Sequence, residues 1–280
     1  MAFSWGKNRE VNYNTINDKQ VFLNDHDKYV RRFMNGHISI SYRPAINTRH
    51  SFGIGFSSEE VQDTIVALNP AYFKKGRNSI GYPSLFYTMS WFNLDYIPYP
   101  TKGYAAQVSI SKNGLNSSVN LWQLHIKGLA NWPLAPKTFL HLNVYGGIKL
   151  PFEQPWFNRR FLGYGDMYLQ GYEYNVIDGV AGGFLKTTLS RELTRFLVRL
   201  PQGRKKDPVA VPFRIFGKIF NNTGYVYNPA EGENELSNRM LYTGGVGLDI
   251  VTLYDFTIKL EWSFNQLGQN GLFLHRKTIF

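Results

Sequence analysis

Residues 255–264 read Asp255-Phe256-Thr257-Ile258-Lys259-Leu260-Glu261-Trp262-Ser263-Phe264, polar and apolar in strict alternation. A period of two sends the two sets to opposite faces of one β-strand. The apolar face needs an oily neighbour, and the face carrying Lys259 and Glu261 needs water or charge partners. The same alternation recurs at 37–43, 106–111, 120–127 and 138–150. Over 138–150, Leu140, Leu142, Val144, Ile148 and Leu150 oppose His141, Asn143, Tyr145 and Lys149. An oily face backed, strand after strand, by His, Lys, Gln or Asn is not what a sandwich core accepts. A closed antiparallel transmembrane β-barrel, with lipid outside and a polar lumen inside, satisfies both faces.

Composition agrees with an all-β membrane protein. Among 280 residues there are 21 Phe, 18 Tyr and 6 Trp, the residue types that form girdles at membrane interfaces. Mean hydropathy is only −0.30, because lumen-facing polar residues dilute the signal. No run approaches the ~20 apolar residues of a helical span. Cysteine is absent, which excludes disulfides and thiolate metal sites. The net charge of +11 is scattered over Arg31-Arg32, Lys74-Lys75, Arg159-Arg160 and Arg204-Lys205-Lys206. No stripe interleaves these with aromatics, so nucleic acid is not the expected partner. Lipid phosphates, those of lipopolysaccharide included, suit such loops better.

Roughly twelve strands are expected, near 2–16, 30–43, 49–65, 82–96, 103–113, 119–129, 138–149, 182–199, 211–227, 240–251, 255–264 and 272–280. The connections sort by length. Short ones (44–47, 98–102, 131–137, 252–254) alternate with long ones (17–29, 66–81, 150–181, 228–239). Exceptions are the tight turn at 113–116 and the longish basic turn at 200–210. Periplasmic turns are short and extracellular loops long, so both termini are expected in the periplasm. No repeat or linker interrupts 1–280, which reads as a single barrel domain. Met1–Lys7 lacks the apolar segment of a signal peptide, so a mature, truncated or internal piece is expected.

Enzyme signals are weak. His26, His37, His50, His125, His141 and His275 show no metal-ligand spacing, and no nucleophile elbow, P-loop or dinucleotide fingerprint is present. His125 and His141 are expected in the lumen on neighbouring strands, where two solvated histidines are the simpler reading and a barrel hydrolase the sharper one. No catalytic residue, cofactor or metal is expected. The connection 150–181 differs from the rest. It is rich in aromatics and glycines, does not alternate, and is too apolar to hang in water. It is expected to fold back as a plug packed by Trp156, Phe157, Phe161, Tyr168 and Tyr172.

Within it, Phe161-Leu162-Gly163-Tyr164-Gly165-Asp166 and Leu169-Gln170-Gly171-Tyr172 resemble the lumen-loop signature of the BamA/TamA-like outer-membrane assembly and translocation barrels, the bacterial surface antigen superfamily. Asp95 with Pro100-Thr101-Lys102-Gly103, Ile219–Val226, Gly244–Leu248 and a terminal Phe280 resemble further family features, the last a barrel-targeting signal. The resemblance implies a non-enzymatic barrel of the bacterial outer membrane that inserts or translocates other outer-membrane or surface proteins. It implies client outer-membrane proteins and accessory lipoproteins as partners; a plugged pore is the alternative. The implied loop motif is Gly163, Gly165, Gln170, Gly171 and Tyr172, received by Asn222 and Gly224. The family's loop arginine is Gln170 here, and its aspartate partner is Asn222. An amide–amide hydrogen bond between them is expected to replace the ion pair. The family barrel generally has sixteen strands and POTRA domains, so this chain reads as starting about four strands late, without POTRA domains, either as a fragment of such a barrel or as one that closes smaller.

Overall fold

The computed structural model describes residues 1–114, 119–202, 206–230, 234–252 and 256–276. In chain order the strands are β1 (Ala2–Asn8), β2 (Glu10–Ile16), β3 (Lys19–Asn24), β4 (Arg31–Ala45), β5 (Thr48–Val61), β6 (Ser79–Leu94), β7 (Gly103–Asn113), β8 (Leu121–Ala135) and β9 (Thr138–Leu150). There follow β10 (Arg160–Leu162), β11 (Ile177–Asp178), β12 (Ala181–Gln202), β13 (Lys206–Tyr227), β14 (Met240–Val251), β15 (Thr257–Asn265) and β16 (Asn270–His275). Two short helices, α1 (Asp63–Leu68) and α2 (Trp156–Arg159), lie in the long connections. Among the described residues no helix is long and apolar enough to cross a membrane.

Twelve strands form one antiparallel sheet in the order β1-β4-β5-β6-β7-β8-β9-β12-β13-β14-β15-β16. In β15, Trp262 and Phe264 are 57% and 56% exposed, while Glu261 and Ser263 are 1% and 0%. The oily set therefore faces outward on this strand. Ile38, Ile40, Phe52, Ile54, Leu85, Ile126, Val144, Ile219 and Val246 extend the band around the outside. An apolar surface of this extent is untenable in water and apt in lipid.

The sheet curls until strands far apart in its order meet. Tyr99, in the β6–β7 turn, donates to Asp249 Oδ2 on β14 at 3.0 Å. At the long-loop end, the Asp18 carboxylate accepts the backbone N–H groups of Glu235 (3.1 Å) and Leu236 (3.2 Å). A cap core of Val11, Val30, Val61, Ile65, Tyr72, Phe73 and Trp156 seals that end. Among the described residues β1 and β16 do not pair with each other, so the seam between them is open.

The first expected strand, 2–16, is two elements. β1 ends at Asn8, and β2 turns away to pair with β3. The cause is Asn17-Asp18, both at positive φ (50° and 58°), which close a two-residue hairpin of the kind that asparagine and aspartate favour. The expected strand at 49–65 stops at Val61, where α1 begins two residues later. The last strand begins at Asn270; its end, with Phe280, lies outside the described residues, as do parts of the turns at 113–116, 200–210 and 252–254.

In the β6–β7 turn, Asp95 accepts backbone N–H groups from Tyr96 (2.9 Å), Thr101 (2.9 Å) and Lys102 (3.1 Å). Partial burial opposes ionisation of Asp95, but these bonds and the Thr101 hydroxyl outweigh it and hold the carboxyl below its ordinary value. A lowered folded value contributes stability above the ordinary Asp range, and that contribution is lost as pH falls through the folded value. Asp95→Ala is therefore expected to lower the thermal midpoint in detergent at pH 7, with the gap to the parent narrowing below pH ~4. A pH-independent gap in thermal melts overturns this account.

Candidate functional site

The connection between β9 and β12 enters the lumen in a defined order. Pro155 precedes α2 in an extended conformation, a helix entry that suits proline's fixed φ. The Arg160 guanidinium lies 4.5 Å from the Trp156 ring centroid and donates to Asn12 O at 3.0 Å, joining the loop to the β2–β3 hairpin. Lys149, at the top of β9, donates to Asn158 O (2.8 Å) and Arg160 O (2.6 Å). The outgoing strand β10 pairs with the returning strand β11. Tyr164 donates to Asp178 and also contacts the Thr15 hydroxyl at 2.7 Å. Burial raises both the Tyr164 hydroxyl and the Asp178 carboxyl above their ordinary values.

The tip, 167–175, is held against β13–β15. Gly171 (φ +95°) has no room for a side chain, since a Cβ there would stand 3.0 Å from Phe264 O and 3.1 Å from Thr243 Cβ. Its carbonyl accepts from Asn265 Nδ2 at 2.7 Å. Gly163 (φ +84°) is similarly confined against Asn175 O at 2.3 Å. Leu169 sits over Gly224, where an added Cβ would be 2.9 Å from Leu169 Cδ1. Leu169 and Tyr172 are buried with Phe161, Leu162, Ile177, Phe184, Val226, Leu236 and Leu241 in one apolar cluster. Gly165 differs, with no atom within 4 Å of where its Cβ would stand.

Beside the tip lies a buried charge cluster. Lys218 Nζ on β13 is 2.5 Å from Asp249 Oδ1 on β14 and 2.5 Å from Glu261 Oε1 on β15. His275 Nδ1 on β16 is 2.6 Å from Glu261 Oε2. Lys218 and Glu261 are two strands apart, and Gly247 lies between them in register with both. A Cβ on Gly247 would meet Lys218 Cε at 2.9 Å and Glu261 Cγ at 3.3 Å, so the lysine crosses β14 through a gap that glycine leaves open. Lys186, Lys259, Tyr168 and Gln170 join these groups around a cavity of about 90 Å³.

The expected hydrogen bond between Gln170 and Asn222 is not formed. Gln170 Nε2 donates instead to Glu261 Oε1 at 3.2 Å, and Asn222 Nδ2 donates to Thr243 Oγ1 at 2.9 Å. A carboxylate is the stronger acceptor, and Gln170 reaches past β13 and β14 to find it. The two amides meet only through intermediaries, because Thr243 holds Asn222 and also walls in Gly171. The side-chain oxygens of both are buried without a hydrogen-bond partner among the described residues. Lys218, Asp249 and Glu261 escaped notice as a site in the sequence. Alternation places each in the lumen, but their meeting depends on register across three strands.

His125 and His141 lie on the neighbouring strands β8 and β9 but do not meet. His125 Nδ1 is 2.9 Å from Tyr145 Oη. His141 stands between Asn131 Oδ1 and Ser190 Oγ, each at 2.7 Å, which is the partner order of a Ser-His-Asn triad. Ser190 is 1% exposed, and of the three only His141 and Asn131 line the cavity.

Removing Lys218 leaves two buried carboxylates facing each other. Lys218→Met is expected to cost ~3–5 kcal/mol, read as a lower urea midpoint of the barrel in vesicles. An unchanged midpoint sinks the account. Gln170→Arg alone is expected to destabilise, since a fourth cation joins Lys186, Lys218 and Lys259. Adding Asn222→Asp is expected to recover the loss in the same measurement, and failure to recover shows that the two positions are not coupled.

No protein of curated function matches the sequence. By fold the chain is similar to BamA from Haemophilus ducreyi lacking POTRA domains 1–3, with a TM-score of 0.62 and 13% identity, over 88% of this chain and 53% of that one. It is also similar to CdiB from Acinetobacter baumannii, with a TM-score of 0.53 and 12% identity, over 87% of this chain and 41% of that one. The chain spans about half the length of these solved relatives. What they share with it is the antiparallel β-barrel fold. The Omp85 superfamily domain matches residues 4–254, most of the chain, and the protein accordingly belongs to the Omp85 superfamily, a family of outer-membrane β-barrels.

Proposed function

We propose that this barrel assists the insertion or translocation of other outer-membrane or surface proteins without covalent chemistry. The observation that carries the reading is the loop tip seated in the lumen by Gly171, Leu169 and Gln170 against β13–β15. A merely space-filling plug needs bulk. This one uses glycine-tight approach and a hydrogen bond to a buried carboxylate, which fixes its position relative to strands near the open β1/β16 seam. The adjoining residues of the tip reach the edge strand itself, with Tyr168 5.0 Å and Tyr174 5.3 Å, between ring centroids, from His275 and Phe273 of β16. The two unmet amide oxygens each weaken the seat by ~1–3 kcal/mol, which suits a loop that shifts when a client strand pairs at the edge. In this reading the short-turn end and both termini face the periplasm. Client outer-membrane proteins are the partners, with accessory lipoproteins as helpers.

The test is the folding of a urea-unfolded eight-stranded outer-membrane barrel into vesicles that contain the purified protein, followed by heat-modifiable gel mobility. Faster client folding than in empty vesicles is expected. Gly171→Val should abolish the gain while the variant itself still shows heat-modifiable mobility. No acceleration by the parent, together with a single-channel current that rises on deletion of 156–175, overturns the proposal in favour of a passive plugged pore.

A further inference from the structure

The strands β12 and β13 are 22 residues each, whereas their sheet neighbours β9 and β14 have 13 and 12. A tilted strand crosses the hydrocarbon in ~9–11 residues. Pairing of β12 with β9 ends at Arg191–Thr138, and pairing of β13 with β14 ends at Arg214–Val251. β12 and β13 continue to pair with each other as far as Gln202–Lys206. A two-stranded ribbon thus leaves the barrel at the short-turn end.

Its two faces differ. The lipid-facing stripe of the wall, Leu189 and Ile219, continues past the exposed Arg191, opposite Gly217, and Thr194, opposite Ile215, to Leu193, Phe196 and Val198 on β12 and Ile215, Phe213 and Val211 on β13. Phe196 and Phe213 stack at 5.4 Å. The opposite face carries Arg195, Arg199 and Arg214 around the pair Leu197–Pro212, with Glu192 bonded to Arg195 at 3.2 Å and to Arg214 at 2.6 Å. The register slips between Glu192 and Thr194, where the ribbon leaves the wall, and a bulge of this kind bends a strand. A straight ribbon would leave the Phe196–Phe213 face in water. A bent one keeps it in the acyl boundary and leaves the arginines at phosphate level.

We infer that this ribbon is a membrane-surface anchor. It lies on the phospholipid headgroups at the short-turn end, with its Phe196, Val198, Val211 and Phe213 face in the lipid and its arginines on the phosphates. The inference rests on the barrel and its lipid face, not on the client-insertion reading. The chain has no cysteine, so one introduced thiol carries a unique label. An environment-sensitive fluorophore on Val198→Cys, or on the facing Val211→Cys if the first variant fails to fold, reports the ribbon. Leu189→Cys, on the barrel wall, sets the embedded value. In phosphatidylcholine–phosphatidylglycerol vesicles the label is expected to emit at shorter wavelength than in water. Quenching by lipid-attached nitroxides should approach that at Leu189→Cys. Both signals should weaken in phosphatidylcholine alone or with Arg195→Gln and Arg199→Gln. Water-like emission without quenching in every vesicle overturns the inference, as does shielding that appears only when periplasmic proteins are added. Failure of client folding leaves this readout untouched.

Discussion

In a bilayer every backbone N–H and C=O must find its partner within the protein, because no water is there to take its place. The rest of this structure follows from that demand. It selects an antiparallel sheet of twelve strands over isolated hairpins. The pleat of the sheet then fixes which side chains meet lipid and which meet the lumen. The faultless alternation of β15 is the imprint of this constraint on the sequence. It also gives the seam its importance, since β1 and β16 are the strands whose outer backbone groups the described sheet leaves unmet.

The lumen obeys a second rule, that buried charge requires compensation. Asp249 and Glu261 both pair with Lys218 from the wall, and the loop offers them only the neutral Gln170. The positive charge at this contact thus sits on the wall and not on the loop. Gln170 keeps a hydrogen bond to Glu261 but carries no charge of its own. Loop and wall remain in contact, and moving the loop leaves the carboxylates paired.

Much of the fold was legible because a period of two is a strong signal over thirteen or more residues, as along β9. The β2–β3 hairpin was missed because Val11, Tyr13 and Thr15 continue the alternation of β1, which masks the turn that Asn17-Asp18 imposes. In the loop, Gly163 and Gly171 stand at positive φ in tight contacts, whereas nothing around Gly165 demands glycine. The Gln170–Asn222 pairing was inferred from complementary substitutions, which show that two positions share a surroundings but not that they touch. The charge cluster was illegible for a different reason. Its members lie on three strands, and only their relative register brings them together.

That register gives Gly247 a meaning beyond local fit. The gap it leaves lines up with Lys218 on one side and Glu261 on the other at one alignment of three strands. A slip of β14 by one residue would turn Val246 or Leu248 inward and Gly247 outward. A slip of two that brought Asp249 between them would fill the passage with a side chain. The missing side chain thus works as a gauge. While the sheet assembles, backbone bonds can form in several alignments, but the ammonium can thread to its second carboxylate in few of them, so a void one methyl wide helps to count residues for the whole C-terminal quarter of the wall.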